Sequence, residues 1–216
     1  MSTDHRPPRF DSYFQQAFEQ LIIWRRDVRY FRRDPLDPAL IDRLLALACL
    51  APSVGHAQPW RFVKVEEPER RVAVRQNFVA CNSDALHDYS GERAKLYAGL
   101  KLAGLDDAPV HIAVFCDHAT ETGHGLGRKT MPATLDYSVV AAIHTFWLAA
   151  RAHGLGVGWV SIIDPERIHD ILEVPEGWGL VAYLCVGLPV EESDEPELVR
   201  FGWQEREAFE RFVLTR

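Results

Sequence analysis

The stretch from residue 133 to residue 163 constrains the fold most. Residues 133–153 form the longest apolar helical run of the chain, closed by His153-Gly154, and "GVGWVSII" (156–163) follows at once as a strand. The same alternation runs through the rest. Residues 13–25 carry Phe14, Phe18, Leu21 and Ile22 at helical spacing. A second helix spans 38–51, with Asp37 as N-cap and Pro38 at its first position, and stops at Ala51-Pro52. "RFVKV" (61–65) reads as a strand, 68–79 as a helix, 81–93 as a polar loop, 94–104 as a helix and "VHIAVFC" (110–116) as a buried strand. Asp164-Pro165 opens a short helix to 172, and "GLVAYLCVGLP" (179–189) is a strand ending in a Gly-x-Pro turn. A last helix is expected near 204–214. Strands alternating with helices specify a mixed sheet flanked by helices.

At 216 residues, folding reduces exposed surface from roughly 36,000 Å² to roughly 10,000 Å², which allows one sizeable core and a single domain over 1–216. The arm at 1–12 and the acidic, then aromatic, tail at 190–216 have too little apolar surface to fold alone. Both are expected to wrap a partner subunit. The net charge of −7 disfavours nucleic acid, which needs a broad basic face. No apolar run reaches the ~18 residues of a membrane span, and the polar start "MSTDHRPPRFDS" lacks a signal-peptide core, so a cytoplasmic protein is expected. Cys49, Cys81, Cys116 and Cys185 are far apart and indicate no disulfide framework.

Three stretches carry candidate chemistry. "RRDVRYF" sets Arg25, Arg26 and Arg29 around Asp27 and Val28. Guanidiniums this close repel unless an anion or water separates them, and a terminal phosphate matches their planar donor fork; the alternative is a solvated surface turn. In "APSVGHAQPW" (51–60), small residues would let a flat ligand approach the backbone, with Ser53 and Gln58 as polar groups in an apolar wall; the alternative is a plain helix-to-strand loop. In "GLGVGWVSIIDP" (154–165), Ser161 either bonds a neighbouring carbonyl or faces a ligand. Two further stretches are set aside. "GHGLGRKT" (123–130) has Arg128 where a phosphate loop needs glycine, and reads as a mobile surface loop. "CDHATETGH" offers Cys116, Asp117, His118 and His124, but at no standard zinc spacing, so no metal is expected. His144 reads as a hydrogen-bonded core histidine.

Taken in order, "RRDVRYF", "APSVGHAQPW", "GWVSIIDP" and "VGLP" resemble the nitroreductase-like flavoprotein superfamily over about residues 15–205. Within it the chain is most similar to the 5,6-dimethylbenzimidazole synthase family. The specific markers are Asp27, where typical flavin reductases have a small Ser, the run 135–165 with Ser161, and "GWQER" at 202–206. The resemblance implies an α+β fold, a mixed sheet flanked by helices, in an intertwined homodimer with FMN at the subunit interface. It implies that Arg25 holds the FMN phosphate with help from Arg26, that Val28 belongs to the same binding segment, and that Arg29 lies near N1 and O2. Pro52, Ser53 and Val54 would pack on the flavin from the other subunit. Backbone N–H groups of Trp159, Val160 and Ser161 would meet N5 and O4, and Arg200 would be a second phosphate contact. His56-Ala57 departs from residues common in the superfamily.

The same resemblance implies that reduced FMN, supplied by a separate flavin reductase, is substrate. With O₂ it would be fragmented to 5,6-dimethylbenzimidazole and erythrose 4-phosphate for the lower ligand of vitamin B12. Three cations already exceed a phosphate dianion, so Asp27 is not needed for binding. It makes sense as a general acid/base, with Ser161 as a hydrogen-bond donor to N5 or to the peroxide oxygen; a salt bridge to Arg26 or Arg29 is the alternative. Three rival readings remain: an NAD(P)H-dependent FMN nitroreductase or quinone reductase, a reductive dehalogenase of the iodotyrosine type with residues 81–105 as lid, and a flavin-storage or sensor protein.

Overall fold

In the computed structural model, which describes residues 7–87, 89–99 and 103–216, four strands form one sheet. They are β1 (Trp60–Lys64), β2 (Val110–Asp117), β3 (Gly156–Val160) and β4 (Trp178–Gly187), in the order β1-β2-β4-β3. All three pairings of these strands are antiparallel. The expected mixed character reduces to one parallel bridge, Asp27 with Val157, along the edge strand β3. Alternating helices and strands suggest crossovers. Here the β1-to-β2 and β3-to-β4 connections each return to the end they left, despite the helices within them.

Eight α-helices surround the sheet among the described residues: α1 (Ser12–Trp24), α2 (Pro38–Ala48), α3 (Pro68–Leu86), α4 (Gly91–Gly99), α5 (Gly104–Asp107), α6 (Thr134–Ala152), α7 (Pro165–Leu172) and α8 (Glu197–Arg200). The central strands are buried on both faces, which is why they read as continuous apolar runs rather than alternating ones. Ile112, Val114, Leu184 and Val186 face a core shared with Ile41 and Leu44 of α2 and Val139, Ile143 and Phe146 of α6. Ala113, Phe115, Tyr183 and Cys185 face the opposite core, with Val74 of α3 and Ile168 and Leu172 of α7. The buried residues of α6, Leu135 through Ala150, recur at three- and four-residue spacing. His144 falls on its outer, exposed face and is not a core residue. Asp37 caps α2 by accepting from the Ala39 N–H at 2.9 Å, with Pro38 at its start.

Several boundaries differ from the sequence reading. Helix α3 continues to Leu86 through half of the expected 81–93 loop, because no Gly or Pro interrupts 69–86 and its polar residues can face water. The expected 94–104 helix divides into α4 and α5, and residues 100–102 lie outside the described residues, as does the first half of the arm at 1–12. β3 ends at Val160, leaving Ser161 exposed just beyond it. The expected helix at 204–214 is only a short 3-10 turn, Phe209–Phe212. Phe209, Phe212 and Leu214 are each more than two-thirds exposed, so no surface of the same chain supports a helix there. Helix α1 buries no residue at all. No helix among the described residues is long and apolar enough to cross a membrane.

Candidate active site

Two glycines of β3 build the site. A Cβ at Gly158 would stand 2.2 Å from the Val28 carbonyl oxygen, and one at Gly156 would stand 2.7 Å from a Val28 methyl. Only glycine lets the 25–29 segment lie directly on the strand edge. The Val28 N–H donates to the Val157 carbonyl at 3.0 Å, and the Trp159 N–H donates to Asp27 Oδ1 at 2.9 Å. From α6, Trp147 Nε1 donates to the Arg26 carbonyl at 3.2 Å. The chain leaving β4 then runs beside residues 30–32, with Arg32 N–H donating to the Leu188 carbonyl at 2.8 Å and Val190 N–H to the Tyr30 carbonyl at 3.1 Å.

Between these elements lies a cleft of about 250 Å³. Arg26, Asp27, Val28 and Arg29 form its floor, Trp147 and Arg151 one wall, and the strap from Pro189 to Phe201 the other. The strap answers the cations. Arg26 Nε donates to the Asp194 carbonyl at 2.8 Å, Arg151 pairs with Glu192 at 2.7 Å, and Arg200 pairs with Glu191 at 3.1 Å. Arg29 Nε stands 3.8 Å from both Asp27 Oδ2 and Glu197 Oε2. Two guanidinium nitrogens are nonetheless buried without a hydrogen-bond partner, Arg25 Nε and Arg29 Nη1. Such donors are costly to leave unmade, and the close-set guanidiniums of Arg25, Arg26 and Arg29 supply the cationic lining a phosphate needs. The residues present therefore fit the phosphate-bearing FMN implied by the sequence.

Asp27 is the unusual group. Crowding by protein pushes its carboxyl up to about 6, against the opposing pull of the Trp159 N–H and of Arg29, with Glu197 adding to the rise. Its side chain keeps 42% of its surface exposed, and Asp27 lines the cleft. One oxygen is held by Trp159 and the other is free to exchange a proton. The ion pair with Arg29 is loose and does not keep the carboxyl in the ordinary range.

Arg26, Asp27, Val28, Arg29 and Arg200 thus share one cleft, as the sequence reading grouped them. Arg25 adjoins it, with its guanidinium carbon 5.3 Å from the Trp147 ring centroid. Trp159 reaches it through its backbone N–H, Val160 is buried in the core and Ser161 is exposed. Pro52, Ser53 and Val54 do not line it. Ser53 Oγ accepts from the Gln58 N–H at 3.1 Å, and the Val54 N–H donates to Ser138 Oγ at 3.0 Å. The glycine-rich loop after β2 is no free surface loop either. A Cβ at Gly123 would stand 2.3 Å from the Gly55 carbonyl oxygen, so the two loops pack backbone to backbone.

The sequence reading missed Trp147, Arg151, Glu192 and Glu197. The signal was present in the acidic string after "VGLP", complementary in charge to "RRDVR". It also missed Asp136, which joins Cys116 and His118 in the one group of metal-capable side chains found among the described residues. His118 Nε2 and Asp136 lie 2.9 Å apart and pair with each other, burial pushes the Cys116 thiol up to about 12, and Asp117 is engaged by Arg61 at 2.6 Å.

The nitroreductase family profile matches residues 22–188. A 5,6-dimethylbenzimidazole synthase of Rhodospirillum rubrum is 56% identical over 199 residues, covering 92% of this chain and 94% of that protein. One of Rhodobacter capsulatus is 50% identical over 196 residues, covering 91% and 95%. Among solved structures, oxidized iodotyrosine deiodinase bound to FMN and 3-iodo-L-tyrosine superposes with a TM-score of 0.72 at 22% identity, over 92% of this chain and 97% of that one, a likeness of fold alone. The chain belongs to the nitroreductase family and, within it, to the 5,6-dimethylbenzimidazole synthases.

Proposed function

We propose that this protein fragments reduced FMN with O₂ to 5,6-dimethylbenzimidazole and erythrose 4-phosphate. The observation that carries this reading is Asp27, a carboxyl pushed up to about 6 on the floor of an arginine-lined cleft. A group that titrates near neutrality both gives and takes protons efficiently, and a pure phosphate site has no use for it. Reduced FMN, the substrate, supplies the electrons for O₂ and the carbon skeleton of the product. The remaining roles fall to the chain. Arg25 binds the phosphate, assisted by Arg26 and Arg200. Arg29 orients the pyrimidine edge. Asp27 carries protons on Oδ2 while Trp159 holds Oδ1. The Ser161 hydroxyl donates a hydrogen bond to the ring.

In this reading the working unit is a homodimer. A cavity of about 250 Å³ is below the ~300 Å³ at which small-molecule sites begin, so one chain encloses only part of a flavin. Pro52, Ser53 and Val54 would serve the site of the partner. The chain exposes 13,926 Å² against the roughly 10,000 Å² expected for a compact monomer of this mass. Part of that excess is apolar, including Phe14, Phe18, Ile22 and Ile23 of α1. The reduced FMN comes from a separate flavin reductase.

The test mixes purified protein with reduced FMN in air and follows products by mass, alongside D27N and S161G. Dimethylbenzimidazole is expected from the unsubstituted protein, with little from either variant although both still bind FMN. Recovery of intact FMN with rapid NADH oxidation on nitroaromatics, or with deiodination of iodotyrosine, or with no turnover at all, would replace this reading with the reductase, the dehalogenase or the storage protein respectively.

A further inference from the structure

We propose that Glu197 is a positioning residue for Asp27: by taking a share of Arg29, it keeps the proton carrier from being locked as a permanent carboxylate. The inference rests on the proposed reaction only for the use made of the proton; the charge coupling stands apart from it.

The geometry is a cation between two acids. Arg29 Nε is 3.8 Å from Asp27 Oδ2 and 3.8 Å from Glu197 Oε2, and the Arg29 and Glu197 side chains are both only 11% exposed. Arg29 is thus shared between two carboxylates, although Asp27 keeps 42% of its side chain exposed. Their equal spacing means neither acid has captured Arg29 in a close, bidentate pair of the kind that holds a carboxylate fully ionised. Glu197 reaches this position because α8 follows the strap that covers the cleft, so the C-terminal segment supplies a charge to the N-terminal motif.

Other groups act on Asp27 from each packed element. Its own segment supplies Arg25 and Arg29, β3 the Trp159 N–H, β4 the buried Cys185 thiol and α8 Glu197. Glu197 in turn faces Arg29, Arg200 and Glu191, and burial raises its own proton affinity. Of these, only Glu197 both touches Arg29 and opposes its effect on Asp27. Replacing Glu197 by Gln hands Arg29 to Asp27 alone. The Asp27 carboxyl then ionises at lower pH, and any pH limb that it controls moves with it.

The experiment labels aspartate carboxyl carbons with ¹³C in the full-length protein and follows them by NMR against pH. The Asp27 signal is assigned by its loss in D27N. In the unsubstituted protein its midpoint is expected near 6; in Glu197→Gln it is expected lower by up to about one pH unit, and Glu197→Asp restores it at least in part. Coincident titrations of the unsubstituted protein and Glu197→Gln would overturn the inference whether or not dimethylbenzimidazole is made. The yield of dimethylbenzimidazole from reduced FMN in air, measured against pH with the same proteins, is expected to shift by the same amount. An NMR shift without a matching shift in yield would leave the coupling standing and refute Asp27 as the proton carrier.

Discussion

The substitution Asp27→Asn separates what the site needs from what the fold prefers. The Asp27 carboxyl titrates at 3.8 when unperturbed and at about 6 in the folded chain, a displacement worth at most about 3 kcal/mol. Because 42% of the side chain remains exposed, solvent screening reduces this to about half, or ~1.5 kcal/mol. The sign follows from proton binding. The folded state holds this proton more tightly than the unfolded one, so stability falls as pH rises between about 4 and 6, and the full penalty persists above that window. Asparagine is neutral throughout and keeps a side-chain oxygen for the Trp159 N–H, and Arg29 retains Glu197 as a partner. D27N is therefore expected to melt about 4 °C above the unsubstituted protein at pH 7.5, at 2–4 °C per kcal/mol for a chain of this size. The gap should close toward pH 4.5, while dimethylbenzimidazole formation is lost. Ligand-free thermal melts across that range give the answer. A melting difference that does not change with pH, or a variant less stable at pH 7.5, would refute the account of Asp27 as an acid held above its ordinary range.

Other perturbations test the frame. Gly158→Ala places a methyl 2.2 Å from the Val28 carbonyl oxygen; lifting the 25–29 segment off β3 should cost about 2–3 kcal/mol in urea unfolding and weaken FMN binding, measured by flavin fluorescence, though residue 158 has no side chain to offer a ligand. Ile22→Glu puts a charge on the exposed face of α1 and should give a monomer by sedimentation velocity, with flavin affinity and product yield both sharply reduced. A dimer that survives this change would assign the interface to another surface.

The legible part of this chain was the part governed by local rules. Asp37-Pro38 opened a helix where capping requires it. The two central strands announced themselves as apolar runs, and four residues of "RRDVR", Arg26 to Arg29, line one cleft. What stayed hidden depended on distant partners. The glycines at 156 and 158 were visible, but the reason for them, a second segment lying on β3, was not. Glu197 looked like one acid in an acidic tail, because nothing local distinguishes a charge aimed into a cleft from one aimed into water. Ser161 was read into a strand that stops one residue earlier, since its apolar neighbours Ile162 and Ile163 extend the pattern beyond the last strand pairing. The expected C-terminal helix failed for a related reason: its apolar residues have no surface of their own chain to pack on.

That last failure bears on the chemistry. A carboxyl held at about 6 depends on exclusion of water, yet Asp27 in a single chain is still 42% exposed. The same chain leaves the apolar face of α1 and the aromatic C-terminus uncovered. If these surfaces are buried by a second subunit, association would enclose the cleft and raise the proton affinity of Asp27 further, so that folding, pairing and readiness for proton transfer become one event. On this argument a second subunit would be part of the acid's environment as well as a scaffold for a flavin. The carboxyl of Asp27 in a monomeric Ile22→Glu protein should then titrate below its value in the dimer. Identical Asp27 titrations in monomer and dimer would break the link.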